Sequence, residues 1–294
     1  DLVAAIDGKS AVFTGNLIGT GVIRATSGWL GDSTGTISVI PGLHLVVTVA
    51  TDPLTAGTPS DVTVSVYDSD DVIVTDYVGT IRFTSNDPMA TLPPDYTFVA
   101  GDAGTHSFPG GVTLLTAGSR TVTAFDIAMP AITGSDTVTV LAGPATQLSI
   151  ETAADGSGTE IETEGLTAGE TLTAYAVTRD VYGNYVGNPT VTWSVTPLLP
   201  LTGGLATGDL SATTGTSTVF TANLVGTGTI DADDGAGLTD STGTITVVAG
   251  AAATFEVDAP AAATAGTAFD VTVTARDAYT NVATGYTGTV QLTS

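Results

Sequence analysis

The sequence predicts an all-β fold, with tandem β-sandwich domains arranged end to end, and three observations carry that prediction. Apolar residues recur with a period of two. Val62, Val64 and Val66 alternate with polar neighbours, as do Val138 and Val140, and Val191, Trp193 and Val195. Alternation of this kind marks strands with one buried and one wet face, as in antiparallel sheets. Clusters of Gly, Asp, Asn and Pro punctuate these runs at the spacing of about 8–12 residues expected between short sandwich strands. Finally, the chain repeats itself. Val12–Gly21 returns as Val219–Gly228 at an offset of 207, Asp32–Ile37 as Asp240–Ile245 at 208, and Thr55–Thr58 and Tyr77–Thr80 as Thr264–Thr267 and Tyr286–Thr289 at 209. A slow drift in offset is what single-residue loop insertions produce.

A unit of this length exceeds one sandwich module of about 100 residues and divides into two. We call them type B and type A. The boundaries expected are 1–42, the C-terminal half of a type A module; 43–142, a complete type B module; 143–249, a complete type A module; and 250–294, the N-terminal half of a type B module. In type B, strands are expected at 45–50, 61–67, 79–84, 96–100, 105–108, 120–126 and 132–140. In type A they are expected at 146–151, 171–179, 190–195, 209–212, 217–222, 228–233 and 239–248. Thr and Val dominate these segments, and both favour strands. Seven strands in about 100 residues is immunoglobulin-like arithmetic. The joints are short, with Pro41 and Pro144 in two of the three, which favours a stiff string over a freely flexing one. A half-sandwich exposes its core and its strand edges. The two halves therefore predict a chain that continues past Asp1 and Ser294, or ends that neighbouring chains complete.

Composition excludes several function classes. The 294 residues carry 6 Lys plus Arg against 30 Asp plus Glu, a net charge of −24. Binding a nucleic-acid backbone requires clustered cations. No Cys is present, so disulfides and thiolate-bound metals are excluded, and two His residues cannot build a His-rich metal site. With 42% hydrophobic residues the chain is too apolar for a disordered acidic tail. No run of about 18 apolar residues predicts a membrane span within this segment. No nucleophile elbow and no phosphate loop occurs, and the expectation is that the chain is not an enzyme.

Thr264–Thr267 and Arg276–Val290 resemble the tandem immunoglobulin-like repeats of very large secreted and surface proteins of bacteria, and Ala100–Phe108 and Thr116–Ala124 fit the same pattern. Arg179–Asn188 resembles the strand–turn–strand of bacterial immunoglobulin-like modules, including those of invasin-type adhesins. The resemblance covers essentially the whole chain. It implies an extracellular or bacterial cell-surface location, a stalk, spacer or fibre role, and no catalytic motif to carry over.

Several residues invite a closer reading. Trp193, on the third strand of type A, is expected to plug the core. Trp29 lies where the other type A copy has no aromatic residue, and is the candidate for contact with a protein or glycan. Three acidic loops offer the closely spaced oxygens that Ca²⁺ takes. They are Asp68, Asp70, Asp71 and Asp76; Glu160, Glu162, Glu164 and Glu170; and the metal candidate Asp231, Asp233, Asp234 and Asp240. The contrasting reading of all three is solvated turn acids that keep the protein soluble. Asp180 and Asn184 read as turn chemistry around Gly183. His106 alternates with Phe108 and is expected to be a partly buried structural residue.

The function expected is a structural repeat segment, a stalk, spacer or fibre, of a giant bacterial extracellular surface protein or adhesin. The alternatives are a self-assembling filament subunit with strand complementation between chains, and a glycan- or protein-binding module. No cofactor is required, and Ca²⁺ is the ion the acidic loops would take. The partners expected are further repeats of the same chain or neighbouring chains, with a host or cell-surface protein or glycan for a binding module. Neither nucleic acid nor membrane is expected to contact this segment.

Overall fold

The computed structural model describes residues 2–4, 11–13, 19–27, 30–39, 42–199 and 204–293. They fall into two compact units, Asp1–Leu141 and Ala142–Ser294.

The first unit opens with three short antiparallel ladders. β1 (Leu2–Ala4) pairs with β2 (Ala11–Phe13), β3 (Gly19–Gly21) with β6 (Ile37–Val39), and β4 (Arg24–Ser27) with β5 (Leu30–Ser33). A sandwich follows, formed by β7 (His44–Val49), β8 (Leu54–Thr55), β9 (Pro59–Tyr67), β10 (Thr80–Ser85), β11 (Tyr96–Thr97), β12 (Thr105–Thr113), β13 (Gly118–Asp126) and β14 (Thr133–Leu141). One sheet has the order β12-β9-β7 and the other β11-β10-β13-β14-β8. Every pairing is antiparallel except β8 with β14, which run parallel. The first strand of the module is thus split between the two sheets. β7 lies in one, the chain turns at Ala50–Pro53, and β8 joins the other. Val62, Val64 and Val66 of β9 face Ile81, Val122 and Ala124 of the opposite sheet in one buried core. The period-two pattern in the sequence is the burial pattern of these strands.

The second unit repeats the plan with β15 (Gln147–Glu151), β16 (Glu164–Thr167), β17 (Thr171–Arg179), β18 (Tyr185–Gly187), β19 (Val191–Leu199), β20 (Thr214–Gly215), β21 (Ser217–Thr221), β22 (Gly226–Asp233), β23 (Thr239–Ser241) and β24 (Ile245–Val248). β17 pairs with β15, β18 and β21 in one sheet. The other has the order β16-β24-β22-β19-β20, with β23 also on β22. β16 and β24 again run parallel. Trp193 is 1% exposed at the centre of this core, against Ile150, Phe220, Ile230 and Ile245. β25 (Thr254–Asp258) and β26 (Thr272–Arg276) then form an antiparallel ladder, which leaves Phe255 and Val257 exposed.

The repeat is visible in the register. Gly19↔Val39 and Gly21↔Ile37 have their counterparts in Gly226↔Val247 and Gly228↔Ile245, and Arg24↔Ser33 in Asp231↔Ser241. The Thr34 and Thr242 hydroxyls accept from the Ile23 and Ile230 amides alike. The same local sequence builds the same ladder twice.

Several elements differ from the sequence expectation, among them β18 and β20, which lie where no strand is expected. Residues 209–212 form no strand. A 3-10 turn at Thr207–Asp209 ends there instead, because Asp209 Oδ2 accepts from the Ala206 amide at 2.9 Å and closes the chain on itself. The strand expected at 239–248 is broken into β23 and β24, where the Thr242 hydroxyl bonds the Ile230 amide and the Gly243 amide turns to the Ile161 carbonyl. Finally, β8 and β16 lie in stretches too short and too rich in Thr and Gly for the alternation to single them out.

Candidate functional site: turns and terminal strand pairs

Three turns share one geometry. In each, an Asp at the first position accepts from the amides two and four residues on through Oδ1. Asp68 does so from Asp70 and Val72 at 2.9 and 3.0 Å, Asp180 from Tyr182 and Asn184 at 2.9 Å each, and Asp277 from Tyr279 and Asn281 at 2.8 and 2.9 Å. In each, the fourth residue takes a left-handed backbone, with φ of 59° at Asp71, 83° at Gly183 and 71° at Thr280. Gly183 adopts it without strain, and Asp tolerates it better than most residues. A residue at the fourth position that must be left-handed explains why the sequence motif carries Gly in one copy.

The second carboxylate oxygen reaches the joint. Asp180 Oδ2 accepts from the Gly143 amide and Asp277 Oδ2 from the Gly250 amide, each at 2.9 Å. Asn184 and Asn281 donate to the same oxygens at 2.8 and 2.9 Å. Burial raises the affinity of both carboxyls for a proton. Bonds from the Asn side chain, the joint Gly and the turn amides outweigh it, so both lie below the ordinary carboxylate range. Arg179 and Arg276 precede these turns and donate to the Gly183 and Thr280 carbonyls at 3.0 and 2.7 Å. Arg179 also holds Glu151, 2% exposed, through two bonds of 2.7 and 2.9 Å.

The carboxylates of the 231–240 loop take protein donors. Asp231 accepts from the Thr196 and Thr229 hydroxyls. Asp233 accepts from the Gly235 amide, and Asp234 Oδ1 from the amides of Ala236, Gly237 and Leu238. Asp240 Oδ2 accepts from the Ile150 amide at 2.7 Å. Among the described residues no group of three or more His, Asp or Glu side chains gathers as a metal would require. Asp68, Asp231, Asp233, Asp234, Asp240 and Glu170 each accept from backbone amides or hydroxyls. The loop of Asp68 is the turn described above, and Glu170 caps its own turn through the Thr167 amide. Trp29 lies outside the described residues.

Asp240 has a counterpart that explains it. Asp136 Oδ2 accepts from the Val49 amide at 2.8 Å, as Asp240 does from Ile150. Asp136 lies in the last strand of its sandwich, β14, and Asp240 in β23, just before the last strand β24; each holds the first strand where it leaves one sheet for the other. The sequence held the signal, because an Asp at this place recurs as Asp32, Asp136 and Asp240. Burial pushes the Asp240 carboxyl above the ordinary carboxylate range. The Ile150 and Ser241 amides act in the opposite direction, and the nearby Asp231 charge adds to the rise.

His106 is structural. Its Nδ1 lies 2.9 Å from Asp102 Oδ1, and its ring stacks on Tyr96 with centroids 3.9 Å apart. The Tyr96 hydroxyl closes the triangle by donating to Asp102. Phe98 and Phe108 complete an aromatic cluster at the sheet edge.

The module ends carry the geometry with the clearest physical consequence. β8 pairs with β14 through Leu54↔Val140 and Thr55↔Leu141, extended by an Ala56 amide bond to the Leu141 carbonyl. β16 pairs with β24 through four positions, Glu164↔Ile245 to Thr167↔Val248, extended by Glu164 to Thr244 and by Ala168 to Val248. First and last strands that run parallel put the entry and the exit of a module at opposite ends.

No helix among the described residues is long and apolar enough to cross a membrane. No protein-family model and no curated protein matches the chain. Among solved structures, the chain is similar to the Escherichia coli adhesin FdeC, with 21% identity over 84% of this chain and 79% of that one and a TM-score of 0.45. It is similar to invasin, a bacterial integrin-binding protein, with 17% identity over 84% of this chain and 49% of that one and a TM-score of 0.34. A third is the surface layer protein SbsC, domains 4–9, with 21% identity over 88% of this chain and 39% of that one and a TM-score of 0.26. The chain thus spans about half the length of the invasin chain.

Proposed function

We propose that this chain is a spacer segment that bears tension in a large extracellular protein of the bacterial surface, as a stalk or fibre. The observation that carries the reading is the parallel pairing of the first and last strands in both sandwiches, β8 with β14 and β16 with β24. Pulling on the two ends of such a module slides these strands past each other. Their hydrogen bonds then share the load and must yield together, whereas an antiparallel hairpin pulled from its open end unzips bond by bond. The buried cores behind the clamps add the cooperativity of a close-packed interior. The acidic, Cys-free composition suits a solvent-exposed segment, and the resemblance of Arg179–Asn188 and Arg276–Val290 to bacterial surface repeats supports the location.

The test is to pull the full chain from its two ends in a single-molecule instrument. Discrete unfolding events are expected, each releasing the chain of one module. For about 100 residues the released contour is on the order of 330–360 Å before the folded length is subtracted. Smooth lengthening at low force without discrete events would refute the reading.

A further inference from the structure

The turn at 277–281 does more than shape its own module. Asn281 is 8% exposed, and its side chain reaches the loop that precedes β22. The Val225 amide donates to Asn281 Oδ1 at 2.9 Å, and Asn281 Nδ2 donates to the Asn223 carbonyl at 2.8 Å. With its bond to Asp277 Oδ2, the Asn amide has both donors and its acceptor engaged. Beside it, Tyr279 lies over Gly169. A Cβ on Gly169 would come within 2.9 Å of the Tyr279 hydroxyl, and Gly169 has a φ of +102°. The Gly250 amide of the joint is held by Asp277 at the same time. Three residues of one turn, at its first, third and fifth positions, therefore grip the joint and the module before it.

We propose that the Asp277–Asn281 turn is a docking latch whose partner is the preceding module, and that the fifth residue of the turn decides whether a joint is latched. The partner surface is defined by its chemistry: a carbonyl and an amide two residues apart on the half-buried loop 223–225, next to a glycine that leaves room for a phenol. The turn at 68–72 has the same backbone bonds but places Asp70 third and Val72 fifth. Val has neither a donor nor an acceptor to offer, and Val72 is 59% exposed. A turn that ends on Val cannot make these two side-chain bonds. Stiff and loose joints are then written into one repeat by a single side chain. The latch is independent of whether the chain bears tension.

The test uses the full chain. It has no Cys, so spin labels go on cysteines introduced at the exposed positions Thr173 and Asp258. One narrow distance distribution is expected for the otherwise native chain. Asn281→Val, which installs the residue of the 68–72 turn, should broaden it and speed amide exchange at Val225 by about tenfold. Tyr279→Ala should broaden it too. Both variants keep the Asp277 bonds to the turn amides, so exchange along β25 and β26 reports whether that ladder survives. Where it melts in Asn281→Val, Tyr279→Ala decides. A distribution that is broad from the outset, or one that the deciding variant leaves unchanged, would overturn the proposal.

Discussion

The Tyr77 hydroxyl donates a hydrogen bond to Asp126 Oδ2, 49 residues away in sequence, and so ties the approach to β10 to the end of β13. Asp126 is 1% exposed, and its Oδ1 accepts from the Ala128 and Met129 amides at 2.7 and 2.8 Å. Gly79 lies beneath the pair, and a Cβ there would fall on the Tyr77 hydroxyl and the carboxylate. Gly288 sits under Tyr286 in the same way. Tyr77→Phe removes a bond to a charged group and should cost about 1.5–3 kcal/mol. Gly79→Ala should cost at least as much, because the ring or the carboxylate must move. Amide exchange in β10 and β13 measures both. Unchanged protection in Tyr77→Phe would show that the pair contributes nothing net.

The same pair sets an alkaline limit. Burial raises the Tyr77 pKa, and the hydrogen bond and charge of Asp126 raise it further. A group whose folded pKa lies above its unfolded value of about 10 contributes stability that is complete below that value and is lost as pH rises towards the folded one. The 43–141 sandwich should therefore weaken above about pH 10, and Tyr77→Phe should flatten that dependence. Tyr96 is raised in the same direction, by burial and by Asp102, so a residual slope is expected in the single variant.

On the acid side the carboxylates divide. Asp180 and Asp277 are held below the ordinary range, so their contribution is present at neutral pH and is lost as pH falls through their folded values. Asp240 is raised by burial and opposes stability at neutral pH. Asp240→Asn keeps an oxygen for the Ile150 amide and removes the buried charge. It should leave the 143–249 sandwich as stable or more stable at pH 7, with any gain fading as pH falls towards 4. A clear loss of stability at pH 7, measured by denaturant unfolding, would contradict this.

Trp193 is the largest fully buried side chain in its sandwich, and its Nε1 donates to the Gly215 carbonyl at 3.1 Å. Trp193→Ala should cost about 3–5 kcal/mol. Trp193→Phe should cost less, since most of the volume stays and one bond is lost. Protection of amides in β17, β19 and β22 should fall, while those in β9 and β13 of the first unit hold. Equal loss in both units would mean that they do not unfold separately.

The two strand clamps differ in length, with two parallel pairs in β8–β14 and four in β16–β24. The 43–141 sandwich should yield at the lower force. Ala168→Pro removes the amide that bonds the Val248 carbonyl at 2.9 Å and should lower the higher of the two unfolding forces without moving the other.

What the sequence determined by itself was local and periodic. The alternation at Val62–Val66 and Val191–Val195 marked strands and their inward faces, because a strand has a period of two whatever it packs against. The repeat of Val12–Gly21 as Val219–Gly228 marked equivalent ladders, because the same residues meet the same neighbours. The Asp180–Asn184 turn was legible as turn chemistry for the same reason, since the Oδ1 bonds that close it span at most four residues. Tertiary structure decided everything that depends on partners far apart in sequence. Asp240 looked like one of four clustered carboxylates and proved to be the acceptor for Ile150, 90 residues away. The strands β8 and β16 carry little pattern of their own, and only the last strand of each module defines them. Asn281 reads identically to Asn184 in the turn, and its hold on Asn223 and Val225, 58 and 56 residues away, exists only once the chain has folded.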